Sequence, residues 1–130
     1  MKWIYFSLLL IGCKTPDTEK FKDVCFLSDT IISEKVAFKD LYRVNNWQGK
    51  RIELPGILHY NFEDIALYED KSSENAIWLS FAPEVSKYKN LLLKLNGKKV
   101  FLIGTLDTLR KGHLSSYFAT LENVSCVKIK

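Results

Sequence analysis

At 130 residues, with 47% hydrophobic and 13% aromatic content, the chain has the size and apolar fraction of one domain that closes one core, which excludes a largely disordered protein. A formal charge of +4 from 19 basic and 15 acidic residues, interleaved along most of the sequence, is too mild to call for a nucleic-acid partner.

Residues 1 to 13 read MKWIYFSLLLIGC: one lysine, an apolar run from Trp3 to Ile11, then Gly12 and Cys13. The run is shorter than the roughly 20 residues of a membrane-spanning helix and matches the roughly 7–15 residues of a signal-peptide core. The ending Leu10-Ile11-Gly12-Cys13 resembles a bacterial lipobox. That resemblance implies a leader over residues 1–12, cleavage before Cys13 and acylation of its thiol, giving a lipid-anchored protein of the bacterial cell envelope. Acyl chains anchor durably when two or three are present, each buried methylene contributing about 0.8 kcal/mol. The other reading is a buried N-terminal strand or helix with an ordinary cysteine. Residues 13–23, with the polar run KTPDTEKFK, then form a tether, and residues 24–130 a single domain.

Val24 to Leu27 and Ile31-Ile32 are short apolar runs that fit a strand or a wrap against the domain. After acylation the remaining thiols are Cys25 and Cys126. In an exported protein they bridge or persist as two buried reduced cysteines; a bridge closing so long a loop adds about 4 kcal/mol in the chain-entropy model. Between Glu34 and Asn46, Phe38, Leu41 and Tyr42 recur at helical spacing and predict a short helix ended by Asn45-Asn46.

The stretch GKRIELPGILHY, Gly49 to Tyr60, predicts a long first strand with a bend at Pro55-Gly56, and its pattern returns from Gly97 to Leu106. Ile65–Tyr68 and Ala76–Phe81 predict strands two and three, joined by the apolar-free loop EDKSSEN. From Pro83, the stripe Tyr88, Leu91, Leu92, Leu95 predicts one amphipathic helix, followed by strand four at Lys98–Leu106 and strand five at Tyr117–Ile129. Five strands with a helix between the third and fourth follow the order of a five-stranded OB-fold-like barrel, mainly β, with a short N-terminal helix in front. Another small β-barrel or roll with a helix across one end is the alternative.

Gly49-Lys50-Arg51, Gly56-Ile57-Leu58-His59, Phe62-Glu63, Ala66-Leu67-Tyr68 and Ala76-Ile77-Trp78-Leu79, continued by Gly97-Lys98, Gly104-Thr105-Leu106-Asp107 and Gly112-His113, resemble a group of uncharacterised bacterial OB-fold proteins, often lipoproteins, over Val36 to Ile129. The resemblance implies a fold and brings no ligand or reaction with it. Where members of that group tend to carry glycines, this chain has Asp64, Ser115 and Ala119.

The residues that could meet a ligand cluster around the end of strand one and the loops that flank the ligand face of an OB-fold. His59, Tyr60, Phe62, Glu63, Tyr68, Trp78 and His113 form the candidate set. Each has a plain structural reading too: histidines bonded to turn backbone, aromatics packed in a barrel core. Phe62 stands apart, in a loop where nothing obliges an apolar residue. Lys50-Arg51 and Lys98-Lys99 read as solvated turn residues, or as a basic surface against anionic headgroups. No paired-histidine or paired-cysteine spacing, catalytic triad, phosphate loop or dinucleotide fingerprint occurs, so no metal and no cofactor are expected. The expected role is a non-catalytic, membrane-tethered binding module for an envelope protein or small ligand. The alternatives are an oligonucleotide- or oligosaccharide-binding domain and a small hydrolase or metal-binding protein.

Overall fold

The computed structural model describes residues 23–25, 32–42, 47–72 and 74–129. The expected leader, Cys13, most of the tether and Asn45-Asn46 lie outside the described residues. Among those described, the strands are β1 Val24–Cys25, β2 Glu34–Lys35, β3 Arg51–Asn61, β4 Asp64–Tyr68, β5 Ala76–Phe81, β6 Lys99–Asp107 and β7 Thr120–Ile129. The helices are α1 Phe38–Leu41, α2 Pro83–Ser86 and α3 Lys89–Lys94, with a 3-10 turn at His113–Ser115.

The two strands that echo each other in sequence pair with each other in space. β3 and β6 run antiparallel with Leu54 opposite Leu102, so Ile52 faces Gly104 and Gly56 faces Val100. Equivalent bonds then recur on either side of the leucine pair. Gly49 N donates to Leu106 O at 2.8 Å and Gly97 N to Leu58 O at 2.7 Å; Leu106 N donates to Lys50 O and Leu58 N to Lys98 O, both at 3.0 Å. Even the flanking side chains match, because the Gln48 Oε1 accepts from Thr108 N at 2.5 Å and the Asn96 Oδ1 accepts from Tyr60 N at 2.9 Å. The sequence echo is thus the signature of a locally twofold antiparallel ladder.

β3 is long enough to serve two neighbours, pairing β6 over Arg51–Ile57 and β4 over Ile57–Asn61. The hand-over falls at Ile57, directly after Pro55-Gly56, where proline lacks a donor and glycine lacks a side chain. A Cβ on Gly56 would sit 2.6 Å from Tyr68 O and 2.7 Å from Leu67 Cγ. Its counterpart Gly104 has the same task against β7: a Cβ there would meet Leu121 Cγ at 2.8 Å and Glu122 O at 2.9 Å, beside a shift in the β6–β7 register. Asn123, at φ 50, marks the bulge on β7.

From β4 the bonding passes to β5, from β5 in parallel to β7, and from β7 back to β6, so the strand bonding closes in a ring. Alternate residues point inward, and Ile52, Leu54, Leu58, Leu67, Ile77, Leu102, Leu106 and Leu121 are at most 1% exposed. Each such side chain contributes roughly 1.5–3 kcal/mol. The N-terminal residues then fill the sheet edges that the ring leaves open. β2 pairs with β3 at Ile52-Glu53, and β1 pairs with β7 at Cys126-Val127, where a disulfide joins Cys25 to Cys126.

Three expectations change. The last strand begins at Thr120 rather than at Tyr117, which leaves Tyr117 in the loop before it. The single helix after Pro83 is two short ones, because Tyr88 takes a non-helical conformation (φ −92, ψ 45) between them; Val85 of α2 and Leu92 and Leu95 at the end of α3 do the burying. Arg51 is not a solvated turn residue. It lies across the β7 bulge, bonding Thr105 Oγ1 at 3.1 Å, Asn123 O at 3.3 Å and Ser125 Oγ, and burial lowers its pKa. Lys50, Lys98 and Lys99 are exposed.

Gly56→Ala is expected to lower the unfolding free energy by about 1–3 kcal/mol, since the added methyl meets the Tyr68 backbone oxygen and the fully buried Leu67 side chain. Chemical denaturation measures this, and an unchanged midpoint would show that the bend does not need glycine.

Candidate functional site

On the outer face of the ring, opposite the apolar core, His59 of β3, Ala66 of β4 and Trp78 of β5 stand in one register row. Strand alternation puts Asp64 and Tyr68 on the same side as Ala66. Ala66 is fully buried yet lies outside the apolar core cluster, so it forms the floor under a second layer of larger side chains.

Asp64 is the centre of that layer. Its Oδ1 accepts from the hydroxyls of Tyr117 at 2.7 Å and Tyr68 at 3.0 Å, and its Oδ2 lies 3.0 Å from His59 Nδ1 and 3.1 Å from the Tyr68 hydroxyl. An ionised carboxylate only accepts, so His59 carries its proton on Nδ1 and its neutral form keeps Nε2 as an acceptor. Burial by itself would raise the Asp64 pKa, but hydrogen bonds from Tyr117, His59 and Tyr68 together hold it below the ordinary carboxylate value. The same contacts act oppositely on the phenols. Burial first, then the bond to the Asp64 carboxylate, raises the pKa of Tyr117 and of Tyr68.

Aromatic stacking completes the layer. The His59 ring lies on Tyr68 with centroids 3.9 Å apart, the His113 ring faces Trp78 at 6.0 Å and 25°, and Tyr117 leans on Trp78 at 5.2 Å. The loop that brings in His113 and Tyr117 depends on Gly112, at φ 71, where a Cβ would be 2.5 Å from Trp78 Cβ and 2.8 Å from Tyr117 Cδ2. Tyr117 N donates to Lys111 O at 2.9 Å and closes the loop, while Leu114 and Ser115 both sit at φ 55, a conformation that costs energy for a leucine.

The candidate set therefore divides. His59, Tyr68, Trp78 and His113 belong to one continuous cluster of side chains. Tyr60 alternates to the other side of β3 and packs edge-on to Phe81 against the core, at 6.0 Å. Phe62 and Glu63 form the tight turn between β3 and β4, Glu63 at φ 67 and Phe62 92% exposed. Sequence reading missed Asp64 and Tyr117. The alternation Asp64-x-Ala66-x-Tyr68 was a sufficient signal for the first; Tyr117 reaches the site from a loop with no periodicity to follow. Among the described residues no group of three metal-ligating side chains comes together, and no helix is long and apolar enough to cross a membrane. No family model matches the chain, and no curated protein or solved structure does either.

Asp64→Asn tests the network. Because the folded-state pKa of Asp64 is depressed, its contribution to stability is complete above the ordinary aspartate value near 4 and is lost as pH falls through the lower folded value. The variant is expected to lose about 2 kcal/mol at neutral pH and to show a flatter acid limb than wild type in denaturation measured across acidic pH. Superimposable acid limbs would show that the carboxylate is not held by these donors.

Proposed function

We propose that the protein is a lipid-anchored binding module of the bacterial cell envelope, built as an OB-fold, which meets its ligand or partner protein on the outer face around Asp64. The ring order β3-β4-β5-β7-β6, with β5 and β7 parallel and helices between β5 and β6, supports the OB-fold reading. In that fold, the face of the second and third strands and the loops beside it are where ligands bind. The leader-like run and Cys13 support the anchor.

The observation that carries the binding reading is the Asp64 network itself. One carboxylate ties together side chains from β3, β4 and the loop before β7, and so preorganises a rim on which His59 and His113 remain partly or fully exposed. The faces of Tyr68 and Trp78 that stack on His59 and His113 are already covered, which favours contact through ring edges and polar atoms over base stacking.

Two measurements test this. Metabolic labelling with palmitate is expected to mark the wild-type chain and to leave Cys13→Ser unmarked; label on both would contradict the anchor. A photocrosslinking amino acid placed at His113 is expected to give a discrete adduct in intact envelopes, weakened by Asp64→Ala, while the same group at Lys35, exposed on the edge strand β2, gives none. Recovery of the chain alone, or equal adducts from both positions, would contradict the binding face.

A further inference from the structure

The charge of this protein is concentrated in one segment. From Pro83 to Lys99 the chain holds Lys87, Lys89, Lys94, Lys98 and Lys99 against Glu84 alone, an excess of +4 (five minus one) that equals the formal charge of the entire chain, so the remaining residues balance. All five lysines are exposed.

Exposed apolar side chains stand beside one of these lysines, Lys89, whereas Lys99 lies next to Glu69 and Asp70 in a separate groove. Leu92 and Leu95 turn α3 toward the core, at 1% and 0% exposure, which leaves Lys89 and Leu93, four residues apart, together on the outer side with Leu93 51% exposed. Lys89 and Leu93 line a groove of about 330 Å³ together with Tyr60, Phe62 and Ile65. Phe62, 92% exposed at the β3–β4 turn, projects beside it. This arrangement is pinned rather than fortuitous. Asn96, just beyond α3, donates from Nδ2 to Asn61 Oδ1 at 3.2 Å and accepts from Tyr60 N at 2.9 Å, so the turn and the helix are held side by side.

An exposed phenylalanine at a turn tip and an exposed leucine, flanked by lysines, suit a surface on which apolar side chains enter the interfacial layer while ammonium groups meet phosphates. Single-stranded nucleic acid suits it less, because Leu93 offers no stacking face. We propose that Phe62, Leu93 and the lysines of the α2–α3 segment form a docking surface for anionic membrane lipid, which lays the domain on the bilayer in one orientation. The inference takes its cellular setting from the lipid-anchor reading, but its geometry does not depend on that anchor. For an anchored domain the surface needs little affinity of its own, since tethering keeps its local concentration at the bilayer high.

The test uses the full chain carrying Cys13→Ser and Phe62→Cys, with a nitroxide on the new thiol, mixed with vesicles of phosphatidylcholine with and without phosphatidylglycerol. On the anionic vesicles the nitroxide is expected to become accessible to oxygen and shielded from a water-soluble nickel chelate. In the same background, Lys89→Glu and Lys94→Glu are expected to reduce that immersion, by about fivefold or more in lipid concentration for each charge changed, and high salt to do likewise. A nitroxide that stays in water on vesicle-bound protein would overturn the proposal, as would immersion indifferent to lipid charge or abolished by competing single-stranded oligonucleotide. Because the acyl site is absent and the readout is local to position 62, this result is separate from whether Cys13 is acylated.

Discussion

The antiparallel pairing of β3 with β6 about Leu54 and Leu102 is the constraint from which the rest of the molecule follows. It fixes which residues of two long strands face inward, and so which face outward to build a site. It also sets the positions of both glycine bends, since Gly56 and Gly104 lie symmetrically about the leucine pair and each admits the neighbour that lets the ring close. Had either carried a side chain, β4 or the bulge of β7 would stand off, and the parallel β5–β7 contact that completes the ring would have to move with them.

Both surfaces proposed for function are attached to one end of this ladder, the end closed by Leu58 and Gly97. Where β3 leaves it, His59 emerges on the outer face beside Asp64, while one residue later Tyr60 returns to the core. Where the chain enters β6, Asn96 binds the backbone of Tyr60 and the side chain of Asn61, which draws α3 against the β3–β4 turn. The site around Asp64 and the basic, apolar surface around Leu93 therefore flank one short stretch of β3. A protein held to a membrane through one of them would present the other in a fixed relation to the bilayer, and this is how the two proposals join.

Much of the ring was legible because strand alternation and glycine spacing are local signals. The first strand's bend, the sparing of a donor at Pro55 and the echo at Gly97 to Leu106 could all be read without knowing any contact. The echo's meaning could not, since a repeated pattern is equally consistent with duplication, and only the opposition of Leu54 and Leu102 turns it into a twofold ladder. The same limit applies to the site. His59, Tyr68 and Trp78 were accessible through strand position, whereas the Asp64–Tyr117 bond joins a turn-adjacent residue to a distant loop and leaves no trace in spacing. Arg51 misled for a related reason: beside Lys50 it reads as solvated, and its burial depends on a bulge in a strand far along the chain.

Native-state hydrogen exchange is the most direct test of the primacy of the β3–β6 ladder. The amides of Leu58 and Leu106, which close its two ends by bonding Lys98 O and Lys50 O, are expected to exchange only with global unfolding. The amide of Val36, which bonds Glu53 O at the edge strand β2, is expected to exchange through a smaller, local opening. If Leu58 and Leu106 exchange as readily as Val36 while the β4–β5 amides stay protected to the global limit, the ladder is a late addition to the fold and the account is wrong.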